Sequence, residues 1–220
     1  GVDYVIPDFD FLVQRRKDIV GVFVSHPHHE NMGALTDLVK VIPEIEIYCS
    51  NYTSKIIEYE FEEEQVESKN IHVIPAHKKI DFDGFSVFPF SVTHSSPETF
   101  GYAINTEDGA IIYMADFVID PTMSGHYDMD LGKLAYIGKQ GVLCLMAESL
   151  FSEKKGFTSP YHKLESFFKK AISIKLAQKG YNIVINYNTS EPEAMKLKEE
   201  LVKTNQNIEI FKADLTKRKN

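Results

Sequence analysis

VFVSHPHHENMGA, residues Val22 to Ala34, carries an apolar run straight into His26, His28, His29, Glu30 and Asn31. Three readings compete for it: a metal site at a strand end, a damaged metal site, or a polar loop rich in histidine. Upstream, IVGVFVS (19–25) is a continuous β-branched and aromatic run, which predicts a buried strand. Downstream, GALTDLVKVIP (33–43) places Leu35, Leu38, Val39 and Ile42 at helical spacing and stops before Pro43. IEIYCS (45–50) then predicts a second strand. Strand, loop, helix, strand is an α/β unit.

The pattern extends outward from that unit. IIEYEFEEEQVE (56–67) is strongly acidic and predicts a solvated helix. From Ile71 the texture becomes strand-like, with hairpin signals at Asp83-Gly84 and Asp108-Gly109. GVLCLMAES (141–149) predicts a buried strand ending on Glu148. After about residue 164 the chain alternates again: a helix to Lys179, the strand YNIVINY, a helix from about Glu191 to Lys203, and the strand IEIFKAD. No internal repeat or low-complexity tract interrupts this order.

Composition narrows the function classes. With 220 residues, 43% hydrophobic and 25% charged, the chain has an ordinary globular make-up. A net charge of −8 argues against a binder whose whole surface attracts phosphate, but not against a local groove or a metal that meets the phosphates. Cys49 and Cys144 stand alone, which predicts reduced thiols and a cytoplasmic setting. No apolar run approaches the roughly 18 residues that span a bilayer. The first residue is Gly1 and the last segment is a charged LTKRKN, so a fragment of a longer protein is expected.

Polar groups stand at the ends of three predicted strands: His26 and His28 after VFVS, His94 after FSVT, and Asp116 after IIYMA. Strand ends on one rim of a sheet can converge on one ion, and imidazole with carboxylate suits zinc or manganese. Each of these residues alone has an ordinary structural explanation. Independent strands that all end in a ligand type do not share one so easily. His29, His72, His77, His126 and His162 fall outside the pattern and are expected at the surface.

The order of motifs, SHPHHENMGAL, THSSPETFGYAI, YMADF and AESLFSEKKGFT, resembles the metallo-β-lactamase core of ribonuclease J and of the β-CASP nucleases generally. GVDYVIPDFDFL (1–12) is also similar to the family segment before the first motif. The likeness covers about residues 1–170 and implies an α/β sandwich of four layers, αββα, in residues 1–163 with N-terminal strands missing. An α/β segment would follow in 164–220. The family's motifs read T-H-x-H-x-D-H-x-G, then histidine with serine, then G-D-F. Carried across, the likeness makes His26, His28 and His94 ligands of one metal and Asp116 a carboxylate bridging two. Glu148 matches the acid that opens the β-CASP part and Ser149 follows it. With Ser95 they become candidate substrate contacts. In such enzymes a metal-activated water attacks a phosphodiester while the ions neutralise developing charge.

Glu30 and Asn31 depart from that pattern, standing where the family has aspartate and histidine. Glutamate is one methylene longer, and an asparagine amide binds zinc poorly. The family residue at Glu30 also helps activate water, so Glu30 is a candidate catalytic group and ligand in altered form. The family's final histidine lies far downstream, and this chain ends first. The first metal site is therefore predicted intact and the second damaged.

The tail has two readings. It fits the start of a β-CASP insert, and AISIKLAQKGYNIVINYNTSEPEAMKLKEELVK also resembles part of a short-chain dehydrogenase. HKLESFFKKA stands where such enzymes place their glycine-rich phosphate loop, which argues against a nicotinamide role. Three functions follow from the whole sequence. The first is a zinc- or manganese-dependent ribonuclease acting on RNA, weak or inactive because of Glu30 and Asn31. The second is a non-catalytic RNA-binding or scaffolding subunit, paired as a homo- or hetero-oligomer with another ribonuclease J-type chain. The third is a small-molecule metallo-hydrolase, against which the AES…GFT region argues.

Overall fold

β1 (Val22–Phe23), β2 (Ile47–Cys49) and β3 (Ile71–Val73) form a parallel three-stranded sheet in that order. They belong to a computed structural model that describes residues 4–67, 70–150, 152–156, 161–187, 191–205 and 207–213. The chain divides into two compact units, Gly1–Gly156 and Phe157–Asn220. In the first unit a short helix, α1 (Asp10–Gln14), precedes β1; α2 (His29–Met32) and α3 (Leu35–Val41) return the chain to β2. α4 (Asn51–Glu63) connects β2 to β3.

The second sheet has five strands. β4 (Ile80–Phe82) and β5 (Phe85–Ser91) turn at Asp83-Gly84, where Gly84 takes φ +77°. That left-handed conformation suits glycine. β6 (Phe100–Thr106) and β7 (Gly109–Met114) form the next hairpin, which turns at Glu107-Asp108, one residue before the expected Asp108-Gly109, because Gly109 already pairs with Thr106. α5 (Leu131–Lys139) then brings β8 (Val142–Ala147) back to lie parallel to β7 at the sheet edge.

Three apolar clusters define the layers. Leu35, Leu38 and Val39 of α3 and Ile57 and Phe61 of α4 pack with Ile47 and Cys49 of β2. Val87, Phe100 and Tyr102 of the second sheet meet Ile74, Phe23 and Tyr48 of the first. Phe90, Ala103, Ala110, Ile112 and Met114 form a third cluster with Ile137 of α5. The order is helix, sheet, sheet, helix, as the αββα expectation requires. Close approach is visible at Gly101, where a Cβ would lie 2.4 Å from the Phe90 ring.

Several other local expectations need correction. The strand expected over 19–25 pairs only at Val22 and Phe23, because β2 is short. Pro43 lies before β2, and Ser50 at its far end already caps α4 by accepting from Thr53 N at 3.2 Å. The acidic helix begins earlier than expected, at Asn51, and is amphipathic: Thr53, Ile57 and Phe61, at spacing of four, are buried beneath its glutamates. β8 is apolar but exposed along its whole length, with Leu143 60% and Leu145 61% accessible. An apolar run is buried only where both faces are covered, and β8 is an edge strand. His77 also differs from a surface residue: it is half-buried and its Nε2 accepts from Ser91 N at 3.4 Å. The side chain of His162 lies outside the described residues. Both cysteines are free, Cys49 buried and Cys144 exposed.

The second unit contains α6 (Tyr161–Gln178), β9 (Ile183–Tyr187), α7 (Glu191–Val202) and β10 (Ile208–Lys212). β9 and β10 pair in parallel. Ala177, Ile183, Leu201 and Ile208 form their own small core. The alternation of helix and strand follows the expected order.

Candidate metal centre

Val24 and Ser25 continue beyond β1 as buried residues, and the chain then turns at Pro27 into α2. That turn places His26 and His28 on the same rim as the loops after β5 and β7, which carry His94 and Asp116. One ligand atom from each of these four residues lies within 4.8 Å of all the others. The ring centroids of the three histidines stand 4.6 to 4.8 Å apart. His26 Nε2 is 3.1 Å from Asp116 Oδ2, and His94 Nε2 is 3.1 Å from His28 Nδ1. Ligand atoms about 2 Å from one ion stand roughly 3–4 Å apart, so this set needs a contraction of roughly 1 Å or less to close on an ion. Three imidazoles and a carboxylate fit a borderline divalent cation by chemistry as well.

The electrostatics favour ligation. Burial drives the His26 pKa down from 6.5 to about 4, helped by the neighbouring charges of His94 and His28 and opposed by Asp116 and Glu30. His94 is also lowered, chiefly by burial. Neutral imidazoles are the form that binds metal. Burial works to raise Asp116, but its hydrogen bond with Glu148 and the three imidazoles outweigh that, and it moves downward. Glu148 moves upward through burial and through the same hydrogen bond. Phe117 N donates to Glu148 Oε1 at 3.3 Å.

A pH effect on the metal-free protein follows from His26. Its folded pKa lies below its ordinary value, so between about pH 4 and 6.5 the unfolded chain binds the extra proton. Stability present above pH 6.5 should fall as pH drops toward 4, by at most about 3 kcal/mol from this group. Urea unfolding at pH 7 and pH 4.5 measures the loss, and His26→Asn should reduce it. An equal loss in His26→Asn would assign the pH dependence to other groups.

Other residues expected at the site take different places. Glu30 is exposed at the rim, its Oε1 3.8 Å from His28 Nδ1, outside the four-residue group. Ser95 is exposed and its Oγ lies 3.4 Å from His94 Nε2. Ser149 is exposed beyond the end of β8. Glu30, Asn31, Tyr113, Asp116, Met146 and Glu148 line a cavity of about 330 Å³ next to the cluster. A larger cavity, about 400 Å³, shares no lining residue with it. The larger one includes Glu98, which accepts from Tyr52 N at 2.8 Å and pairs with His126 at 3.1 Å, contacts that fix the loop around α4.

Two contributors were not singled out by sequence reasoning. Ser25 is buried and places Oγ 3.1 Å from His26 Nδ1, so it orients the ring. Tyr113 directs its hydroxyl to Asn31 Oδ1 at 3.4 Å. The signal for Ser25 was a hydroxyl closing an apolar run just before the first ligand. Tyr113 had no comparable signal, because its position in β7 is that of any aromatic strand residue.

Residues 5–132 match the family model described as a beta-lactamase superfamily domain. Ribonuclease J 2 of Staphylococcus saprophyticus is 32% identical over 174 residues, covering 79% of this chain and 31% of that protein. Ribonuclease J 2 of Staphylococcus epidermidis is 31% identical, over 77% of this chain and 31% of its own length. The chain thus spans about a third of the length of these curated relatives. Among solved structures, a diphosphatase from the PhnP family aligns at a TM-score of 0.41 and 17% identity, over 64% of this chain and 65% of that one.

Proposed function

The chain belongs to the β-lactamase superfamily, and on that premise we propose that it is the metal-binding part of a ribonuclease J-type protein that meets RNA phosphodiesters with impaired chemistry. The observation that carries the proposal is the convergence of His26, His28, His94 and Asp116 on one point. When bound there, a divalent ion, zinc or manganese, would supply Lewis-acid stabilisation to charge developing on a phosphoryl oxygen. Ser25 fixes the His26 ring, and Glu148 holds the Asp116 carboxylate by a hydrogen bond. Ser95 and Ser149, both exposed near these groups in sequence, are the candidate contacts for substrate. Glu30 and Asn31 leave a second ion short of ligands, and the chain therefore holds one.

Elemental analysis should find at most one zinc or manganese per chain. Labelled RNA incubated with manganese should be cleaved very slowly or not at all. Rapid cleavage by the unmodified chain, abolished by His28→Ala, would overturn the impaired reading in favour of an enzyme that works with one ion. The same two substitutions favour a second reading, a non-catalytic subunit that binds RNA beside an active ribonuclease J-type partner. RNA retention without turnover is the outcome that selects it.

A further inference from the structure

Asn31 does more than omit a ligand. Its side-chain Nδ2 lies 3.3 Å from His26 Nε2, the nitrogen that faces Asp116 Oδ2 at 3.1 Å. Its Oδ1 is held from the other side by the Tyr113 hydroxyl at 3.4 Å and the Ser25 hydroxyl at 3.5 Å. Both hydroxyls can donate, and this orients the amide with its N–H toward the ring. Ser25 Oγ lies 3.1 Å from His26 Nδ1, and the tautomer that donates Nδ1–H to it is the one that turns the Nε2 lone pair into the site. That lone pair and the Asp116 carboxylate then point at the same place, where a cation belongs. The amide N–H is the donor that meets the lone pair there.

We infer that Asn31 competes with the metal for His26 Nε2, acting as an internal occupant of the first site as well as a gap in the second. This rests on the metal-site reading above. Binding an ion requires the Asn31–His26 hydrogen bond to break and the amide to swing toward the adjoining cavity, which Asn31 already lines. The amide therefore weakens the first ion's binding by the worth of one partly buried hydrogen bond.

Zinc titration by calorimetry on the whole chain tests this. Removing the amide in Asn31→Ala should tighten zinc binding by about fivefold, the equivalent of one such bond. Asn31→Ser, which keeps a small polar group, should move affinity in the same direction and covers the case in which the alanine variant fails to fold. Nitrogen chemical shifts of the His26 ring, measured without metal, should show Nε2 losing its hydrogen bond in either variant. Wild-type protein that binds one zinc, with unchanged or weaker binding in both variants, would overturn the competition and leave the metal site standing. Failure of wild type and both variants to bind zinc at all would overturn the metal-site reading and this inference with it.

Discussion

His94→Ala is expected to weaken zinc binding by at least about a hundredfold. Loss of a group that only orients a ligand costs about 10- to 100-fold in affinity, and loss of the ligand itself costs more. His94 holds the cluster together geometrically: its Nε2 lies 3.1 Å from His28 Nδ1 and 3.9 Å from Asp116 Oδ2. It reaches the site from the loop after β5, so no rearrangement of the His26–His28 turn can replace it. Calorimetry gives the affinity directly, and the zinc-induced rise in melting temperature gives a second measure, since a ligand that binds only the folded state stabilises it by mass action. His126→Ala, which breaks an ion pair with Glu98 at the other cavity, should leave zinc binding unchanged. Equal zinc affinity in His94→Ala and wild type would end the single-ion geometry.

The four clustered residues were legible because each is a polar ligand type that closes an apolar strand. β1 lies in one sheet and β5 and β7 in the other, and the two sheets pack face to face with these strand ends on one rim, so His26, His94 and Asp116 come together although some 90 residues separate the first from the last. The DG turn at 83–84 was legible for a local reason, namely the backbone that glycine permits, whereas the second hairpin turns one residue before its DG pair, at Glu107-Asp108. What failed depended on neighbours. β8 looked buried because VLCLMA is apolar, but covering a strand is a property of what packs on it. β1 looked longer because the sequence of one strand says nothing about the length of its partner. The acidic helix looked solvated because glutamate dominates its composition, whereas its spacing of Thr53, Ile57 and Phe61 carried the packing information. Asn31 was legible as a departure from the family motif; its contact with Tyr113, 82 residues away, was not, and those with His26 and Ser25 depend on how the turn between them folds.

The distinction between a lost ligand and an added competitor alters what a repair should do. Restoring the family residues by Glu30→Asp with Asn31→His removes the amide from His26 and offers two new ligand groups beside the cavity next to Asp116. Glu30 is 66% exposed at the rim, its carboxylate 3.8 Å from His28 Nδ1, and the shorter aspartate draws the carboxylate in toward the backbone of α2. In this chain alone, the double variant should bind the first ion more tightly and take up a second ion only weakly. Joined to the remaining length of a ribonuclease J 2 relative, it should hold two ions per chain. A second ion stabilises the leaving as well as the attacking oxygen of the displacement. If that contributes on the order of 4 kcal/mol, RNA hydrolysis rises roughly a thousandfold over the same joined protein carrying Glu30 and Asn31. Metal stoichiometry and initial rates on labelled RNA are measured side by side. Asn31→His alone should recover part of the second ion's binding but less of the rate, since Glu30 is still displaced toward the rim. Two ions bound without any gain in rate would show that the defect lies outside residues 30 and 31. A joined protein that already cleaves at full rate with Glu30 and Asn31 in place would show that these residues impair nothing.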